Sequence, residues 1–398
     1  MISVQGALEK IVSNLPTLSD ELVSLPNALG RILAKSISSR TTSPPFAISA
    51  MDGYAVRFQD VMKIPTSLKQ VGVSATGRPF LGTLDVGHCV RIYTGAMLPD
   101  GADTVVIQED TTTEKNMVTI TSISKLGNWI RKAGLDFSKG DYLLGAGQML
   151  SARDIGLLAA MNIAWVAVRR RPQVAIISTG DELVMPGEPA EFGQIYSSNG
   201  LFLESFVKGM GGSPVNLGIA PDTKTGLNSL LSCAVGKDIL VTSGGASVGD
   251  FDFVREALGV DGLARGFYKV AMRPGKPLMF GHFGALPVLG LPGNPVSTAI
   301  TARIFLRAAI EKLLGANLKK DIKMAVVGAD LPENDERQDY IRATVKINSD
   351  GTHVVTPFSR QDSAMAATLA KADCLIVRSP FSKPTKTGEL VKILDLNC

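Results

Sequence analysis

Between residues 171 and 314, short apolar runs alternate with helical stretches, and this alternation restricts the fold more than any other feature of the chain. "PQVAIIST" reads as a strand, followed by the turn-rich "GDELVMPGE". "SSNGLFLESFVKGMGG" has Ser and Asn before it and glycines after it, the punctuation of a helix. "SPVNLGIAPD" is a second strand, "TKTGLNSLLSCAVG" a helix, "DILVTSGG" a third strand, and "DFDFVREALG" opens another helix. The last helix, "VSTAITARIFLRAAIEKLL", spans 296–314; Asn294 is placed to cap it and Pro295 suits its first position. Strand and helix at this spacing predict βαβ units on a parallel, doubly wound sheet.

The flanks follow other patterns. Residues 1–40 read as helical, and Val4, Ala7, Leu8 and Ile11 share one face of an opening amphipathic helix. "VGVSATGRPFLG", "HCVRIYTGAMLPDGADTVVIQED" and "NMVTITSI" are short β-like runs broken by Gly, Pro and Asp. A helix returns at 151–163, where Ser151 and Asp154 are spaced to cap its start. Beyond 317 come five strand-like runs and one short helix near 363–371, the pattern of a small β-barrel or sandwich.

Composition excludes several classes. Lys plus Arg number 41 against 37 Asp plus Glu, a net charge of +4, which argues against a dedicated nucleic-acid binder. Cys89, Cys233, Cys374 and Cys398 form no CxxC pair, so neither a zinc knuckle nor a disulfide framework is indicated, and a reducing, cytoplasmic setting fits. His88, His282 and His353 lie far apart in the sequence. A bound metal is therefore expected on oxygen ligands, as magnesium is. The N-terminus lacks a basic start and apolar core. Arg303, Arg307, Glu311 and Lys312 interrupt the longest apolar helix, so no membrane span is expected.

Open parallel sheets bind ligands beyond the carboxyl ends of their strands. Gly180, Asp181 and Glu182 follow the first strand and Asp222 the second. Ser243, Gly244, Gly245, Ser247, Gly249, Asp250 and Asp252 follow the third. Glycines let a ligand approach the backbone, and helix starts offer free N–H groups to an anion. Carboxylates repel anions unless a cation lies between them. A phosphate-bearing ligand with a divalent ion reconciles the two features; the plainer reading is that these loops merely begin helices. Lys269, Arg273, Lys276 and Pro277 form a basic Pro-Gly turn suited to an oxyanion, or else a solvated hairpin. Pro292 and Asn294 of "LPGNPVS" precede a helix start of the same kind. Asp52 in "SAMDGYAV" and Thr94 in "TGAMLPDGAD" each precede a glycine, and Asp136 lies between the two glycines of "GLDFSKG", so a simple turn role stays open for all three.

As an ordered set, "SAMDGYAVR", "TGAMLPDGAD", "STGDEL", "SNGLFLESF", "TSGGASVGDFDF", "RPGKP" and "LPGNPVS" resemble the molybdopterin molybdenumtransferase family, MoeA and the C-terminal part of gephyrin. The resemblance implies a multidomain α/β and β chain with a central doubly wound, MogA-like molybdopterin-binding domain, a β-rich middle domain and a C-terminal β-barrel. On that basis residues 1–20 plus 171–316 form the α/β domain and 21–44 plus 138–170 a helical linking domain. Residues 45–137 form the β-rich domain and 317–398 the barrel.

The implied reaction inserts molybdate into adenylylated molybdopterin, with magnesium, cleavage of the phosphoanhydride and release of AMP. The implied assembly is an elongated homodimer whose cleft lies between the α/β domain of one subunit and the β-rich domain of the other. Transient contact with the molybdopterin adenylyltransferase is a further expectation. Asp52, Thr94, Asp136, Glu182, Asp222, Asp252 and Lys269 match catalytic positions, and Glu182, Asp222 and Asp252 are the expected magnesium acids. Arg273, Lys276, Pro277, Arg342 and Ser363 match the molybdate side. Three departures stand out: Leu135 where the family often has an acid, Arg273 where many members have Lys, and Asp250 where Glu also occurs. Two rival readings are adenylylation of molybdopterin, performed by single-domain proteins of the same fold, and a non-catalytic peptide-binding scaffold.

Overall fold

The computed structural model describes residues 1–123, 125–244, 266–317 and 322–396. Its centre is a six-stranded sheet in the order Ser213–Ala220, Gln173–Thr179, Ile239–Ser243, Leu286–Leu291, Met279–Phe283, Phe267–Tyr268. The first four strands are parallel, as the sequence alternation predicts. The last two run antiparallel to their neighbours, which corrects the all-parallel expectation. The cause is local: Phe283 pairs with Leu286, so only Gly284 and Ala285 connect the two strands. A two-residue link closes a hairpin and cannot make a parallel crossover.

Side chains along Gln173–Thr179 alternate between two cores. Val174 and Ile176 pack with Val4, Ala7 and Ile11 of helix Val4–Ser13 and with Leu203, Phe206 and Val207 of helix Asn199–Gly209. Ala175 and Ile177 pack with Leu227 and Leu231 of helix Lys224–Ala234. Helices therefore cover both faces, and each fully buried Leu or Ile contributes about 1.5–3 kcal/mol. A charge at Leu231 would open the second core. The helix that "DFDFVREALG" opens lies outside the described residues. The last helix is not uniform: Pro295–Thr301 and Arg307–Leu314 are α-helical, and Ala302–Leu306 between them is a π-helical turn. Arg303, in that turn, is buried and donates to the carbonyl of Asp395 at 2.9 Å.

The expectation of a helical 1–40 fails beyond the first helix. Val4–Ser13 is capped by the Ser3 hydroxyl, which accepts from the N–H of Gly6. Asp20–Ser24 is a strand paired with Trp165–Arg169, and Ile37–Ser38 pairs with Tyr142–Leu144. Pro16 and Pro26 obstruct a continuous helix, and the strand partners are remote in sequence. The linking region is thus short β pairs around one helix, Ala152–Ala160, not a helical unit. That helix begins with the expected reciprocal Ser151–Asp154 cap.

The β-rich region is a six-stranded sheet, ordered Thr104–Ile107, Gly53–Val56, His88–Ile92, Thr66–Ser74, Met117–Ile120, Thr111–Glu114. Gly53 is required there, because a Cβ would lie 1.9 Å from the carbonyl oxygen of Val106. At the C-terminus Gln338–Ile347 pairs with both His353–Pro357 and Cys374–Arg378, closing five strands into a barrel. Met272–Arg273 of the α/β domain adds a parallel edge to that barrel at Gln338–Asp339.

Candidate active site

Ser213–Ala220 lies on one flank of Gln173–Thr179 and Ile239–Ser243 on the other, so the strand order switches sides there and the carboxyl ends of Gln173–Thr179 and Ile239–Ser243 form the expected ligand crevice. Thr179 pairs with Ala220, Ser178 with Ser243, and Ser243 with Leu291, so the loops after all four strands open onto one rim. Asp222 donates its N–H to Asp181 Oδ1 at 2.9 Å. Partial burial, with the charges of Asp181 and Glu182 adding to it, holds the Asp222 carboxyl above its ordinary value. Gly244 has φ +94°, and a Cβ there would approach the carbonyl oxygen of Thr179 to 2.5 Å. Gly180 also has positive φ, so this stretch of rim is bare backbone.

Asn199 ties the loops together. Its Nδ2 donates to Ser243 Oγ at 2.8 Å and to the Gly293 carbonyl at 2.7 Å. Ser243 Oγ donates in turn to the carbonyl of Pro292 at 3.4 Å. Asn294 occupies the cap position of helix Pro295–Thr301, yet its side chain caps nothing. Its Nδ2 donates to Ser363 Oγ at 2.8 Å, and Val296 donates its N–H to the Ser363 carbonyl at 3.1 Å. A loop of the barrel domain therefore seats on the rim.

The basic turn joins the same end of the sheet, because Tyr268 pairs with Met279 and Met279 with Gly290. Its members differ in what they are free to do. The Arg273 fork is taken: Nε and Nη2 lie 2.9 and 2.5 Å from the two oxygens of buried Asp339. Arg273 thus anchors the α/β domain to the barrel, and the arginine placed on the molybdate side has this donor edge committed to Asp339. Lys269, with φ +70°, holds its Nζ 5.1 Å from the Tyr268 ring centroid. Lys276 lines a surface depression with Asp335, Glu336 and Arg337, and Pro277 leads from it into strand Met279–Phe283. Arg342 is 1 % exposed, and its guanidinium donates to the carbonyls of Asp362 and Met365 at 2.9 and 3.2 Å. Arg342 therefore holds the loop that carries Ser363.

Asp52 stands elsewhere. Its Oδ1 accepts from the N–H and the hydroxyl of Thr94 at 2.7 and 2.8 Å, and these bonds, with the charge of Arg91 assisting, hold its carboxyl below the ordinary value. The plain turn reading is thus replaced by a charge-assisted pair. All its hydrogen-bond partners belong to the β-rich domain. Asp136 is exposed, donates its N–H to the Ser43 carbonyl at 3.0 Å, and has no described contact with Asp52. Gly245, Ser247, Gly249, Asp250 and Asp252 lie outside the described residues. Among the described residues, no group of three or more His, Cys, Asp or Glu forms a ready metal cage.

Three family models match this chain in order: the MoeA N-terminal region over 2–162, a probable molybdopterin binding domain over 175–312, and the MoeA C-terminal region over 324–396. A molybdopterin molybdenumtransferase of Haemophilus influenzae is 35 % identical over 100 % of this chain and 99 % of its own length. One from Nostoc is 42 % identical over 79 % of this chain and 75 % of its own. The crystal structure of a molybdopterin biosynthesis MoeA protein from a Pyrococcus species superimposes with a TM-score of 0.86, at 30 % identity, over 100 % of both chains. The chain belongs to the molybdopterin molybdenumtransferase family.

In this MoeA-family chain the three matches divide the candidate site residues among them. The first holds Asp52 and Thr94, the second the glycine and acid rim, the third the Ser363 loop. Two residues escaped the sequence reading. Asn199 stood inside the quoted "SNGLFLESF", and a polar residue opening a helix beside the rim was its only signal. Arg91, beside Asp52, carried none, because a cation within an apolar strand looks like an ordinary surface residue.

Proposed function

We propose that this chain inserts molybdate into adenylylated molybdopterin and releases AMP, acting as a homodimer in which the rim of one copy faces the Asp52 cluster of the other. The rim carries the reading: Asp181, Glu182 and Asp222 gather at a glycine-lined crevice at a strand switch, and burial together with the charges of Asp181 and Glu182 raises the Asp222 carboxyl. These are oxygen donors of the kind magnesium takes, so Glu182 and Asp222 fit as its holders; the ion would screen the phosphates. Asp52 is kept anionic by Thr94, so near neutrality it orients a water or a cation at the anhydride and donates no proton.

Molybdate and phosphate are both anions, and two unit charges 4 Å apart repel by about 4 kcal/mol at an effective dielectric of 20. Lys269 and Lys276, on the turn at the same end of the sheet, offset that repulsion. The described hydrogen-bond partners of Asp52 all lie in the β-rich domain and none on the rim, which supports the paired assembly. A cytoplasmic setting and brief contact with the adenylyltransferase belong to the same reading. Among the described residues no helix is long and apolar enough to cross a membrane.

The experiment follows AMP release and molybdenum incorporation from adenylylated molybdopterin with magnesium, with and without molybdate. Molybdate-dependent AMP release with metal on the pterin is the expected result. Tight binding without cleavage would leave a carrier in place of an enzyme.

A further inference from the structure

Thr94 holds only one side of Asp52. Near it stands Arg91, in strand His88–Ile92 directly across from Tyr54, its charge acting on the Asp52 carboxyl. Its guanidinium carbon lies 5.1 Å from the ring centroids of both Tyr54 and Tyr93. Nη1 donates to the carbonyl of Gly53 at 3.3 Å and Nη2 to Gln108 Oε1 at 2.7 Å. Gln108 donates its own N–H to the carbonyl of Asp52 at 3.1 Å. Arg91 thus grips the carbonyl after Asp52 directly and the carbonyl of Asp52 itself through Gln108.

A side chain fixed by two rings and two hydrogen bonds has little freedom left. Its polar anchors fall on the two successive peptides that follow the Asp52 side chain. Thr94 fixes the carboxylate oxygen, while Arg91 fixes the backbone that carries it.

We propose that Arg91 is a positioning residue for Asp52, locking the Asp52–Gly53 backbone so that the carboxylate keeps one direction. It touches no substrate atom. The inference rests on the part given to Asp52 under the proposed function. The positive charge of Arg91 also favours the ionised carboxylate, so its loss is visible in pH dependence as well as in rate.

The test compares Arg91→Ala, Arg91→Lys, Gln108→Ala and Asp52→Ala with wild type in the full chain, following AMP release from adenylylated molybdopterin across pH. Arg91→Ala is expected to lower kcat about tenfold or more with KM within about twofold, the mark of an interaction that acts in the transition state. Its acid limb moves to higher pH because a neighbouring cation is gone. Arg91→Lys keeps the limb in place, since the charge remains, but not the full rate, since an ammonium cannot fork between Gly53 and Gln108. Gln108→Ala, which spares both rings and the charge, loses a smaller share of kcat.

An acid limb that stays put in Arg91→Ala overturns the proposal. So does a rate loss that vanishes once the folded fraction is measured by near-ultraviolet circular dichroism. If Asp52→Ala is inactive while Arg91→Ala turns over normally, only this inference falls. If Asp52→Ala itself is fully active, the part given to Asp52 falls first.

Discussion

The rim of the α/β domain and the Asp52 corner of the β-rich domain treat their acids in opposite ways. At the rim, burial and like charges lift the Asp222 carboxyl. At the corner, hydrogen bonds from Thr94 depress that of Asp52. One region gathers buried and mutually repelling acids; the other holds its one acid in hydrogen bonds. The rim is assembled from loops distant in sequence, stitched by Asn199, Asn294 and Ser363. The corner is built within one small sheet. The rim keeps like charges close together, whereas the corner commits its contacts to holding one carboxylate still.

The strongest way to break this contrast is to remove an acid from each side. Asp52→Ala and Asp222→Ala should each cut AMP release by about 100-fold or more while melting as folded proteins, a loss in the range of a group acting on the reacting centre. Mixing the two inactive variants under conditions of subunit exchange should restore part of the activity, since one hybrid cleft keeps both acids. No recovery in proven hybrids would place both acids in a single chain's site.

Next in size is the response to magnesium. Magnesium, bound among the rim acids as proposed, should raise the melting temperature of the wild type by mass action, and Asp222→Asn should blunt that rise. Equal shifts in both proteins would remove the cation from these acids. Without metal the sign reverses. A carboxyl with a raised folded pKa contributes stability that is lost as pH increases through that value. Asp222→Asn should therefore melt higher than wild type at neutral pH, with the gap closing below the ordinary carboxylate range. Asp52 has the opposite sign: its Thr94 bonds stabilise at neutral pH and fade on acidification.

Smaller effects sharpen the architecture. Arg273→Ala leaves buried Asp339 without its fork and should cost about 1–3 kcal/mol, read by denaturant midpoint. Ser363→Ala removes the partner of Asn294 and should cost about 0.5–1.5 kcal/mol. If its kcat also drops, the barrel loop shapes the rim as well as resting on it.

What the sequence displayed depended on distance along the chain. The alternation of 173–243, the Ser151–Asp154 cap and the five barrel strands all rest on neighbours within a few residues, and they were readable. The Thr94–Asp52 pair joins positions far apart in the chain, and nothing in either tripeptide announces the other. Arg273 looked like an anion binder because its partner Asp339 arrives from another domain. The strand Asp20–Ser24 looked helical because strand pairing is decided by a distant segment, Trp165–Arg169. Glycines at Gly180 and Gly244 were visible as residue types, but only the approach of Thr179 to Gly244 shows why no other residue fits there.

The edge that Met272–Arg273 lends to the barrel bears on how such chains can be cut and recombined. The C-terminal domain is not a cassette. Moved alone into another scaffold, it would expose the flank of Gln338–Asp339 as an open sheet edge and take the Arg273 fork from Asp339. A chimera between family members would have to carry 270–273 along with 322–396, so the natural unit of exchange is discontinuous and crosses the boundary that a sequence comparison draws.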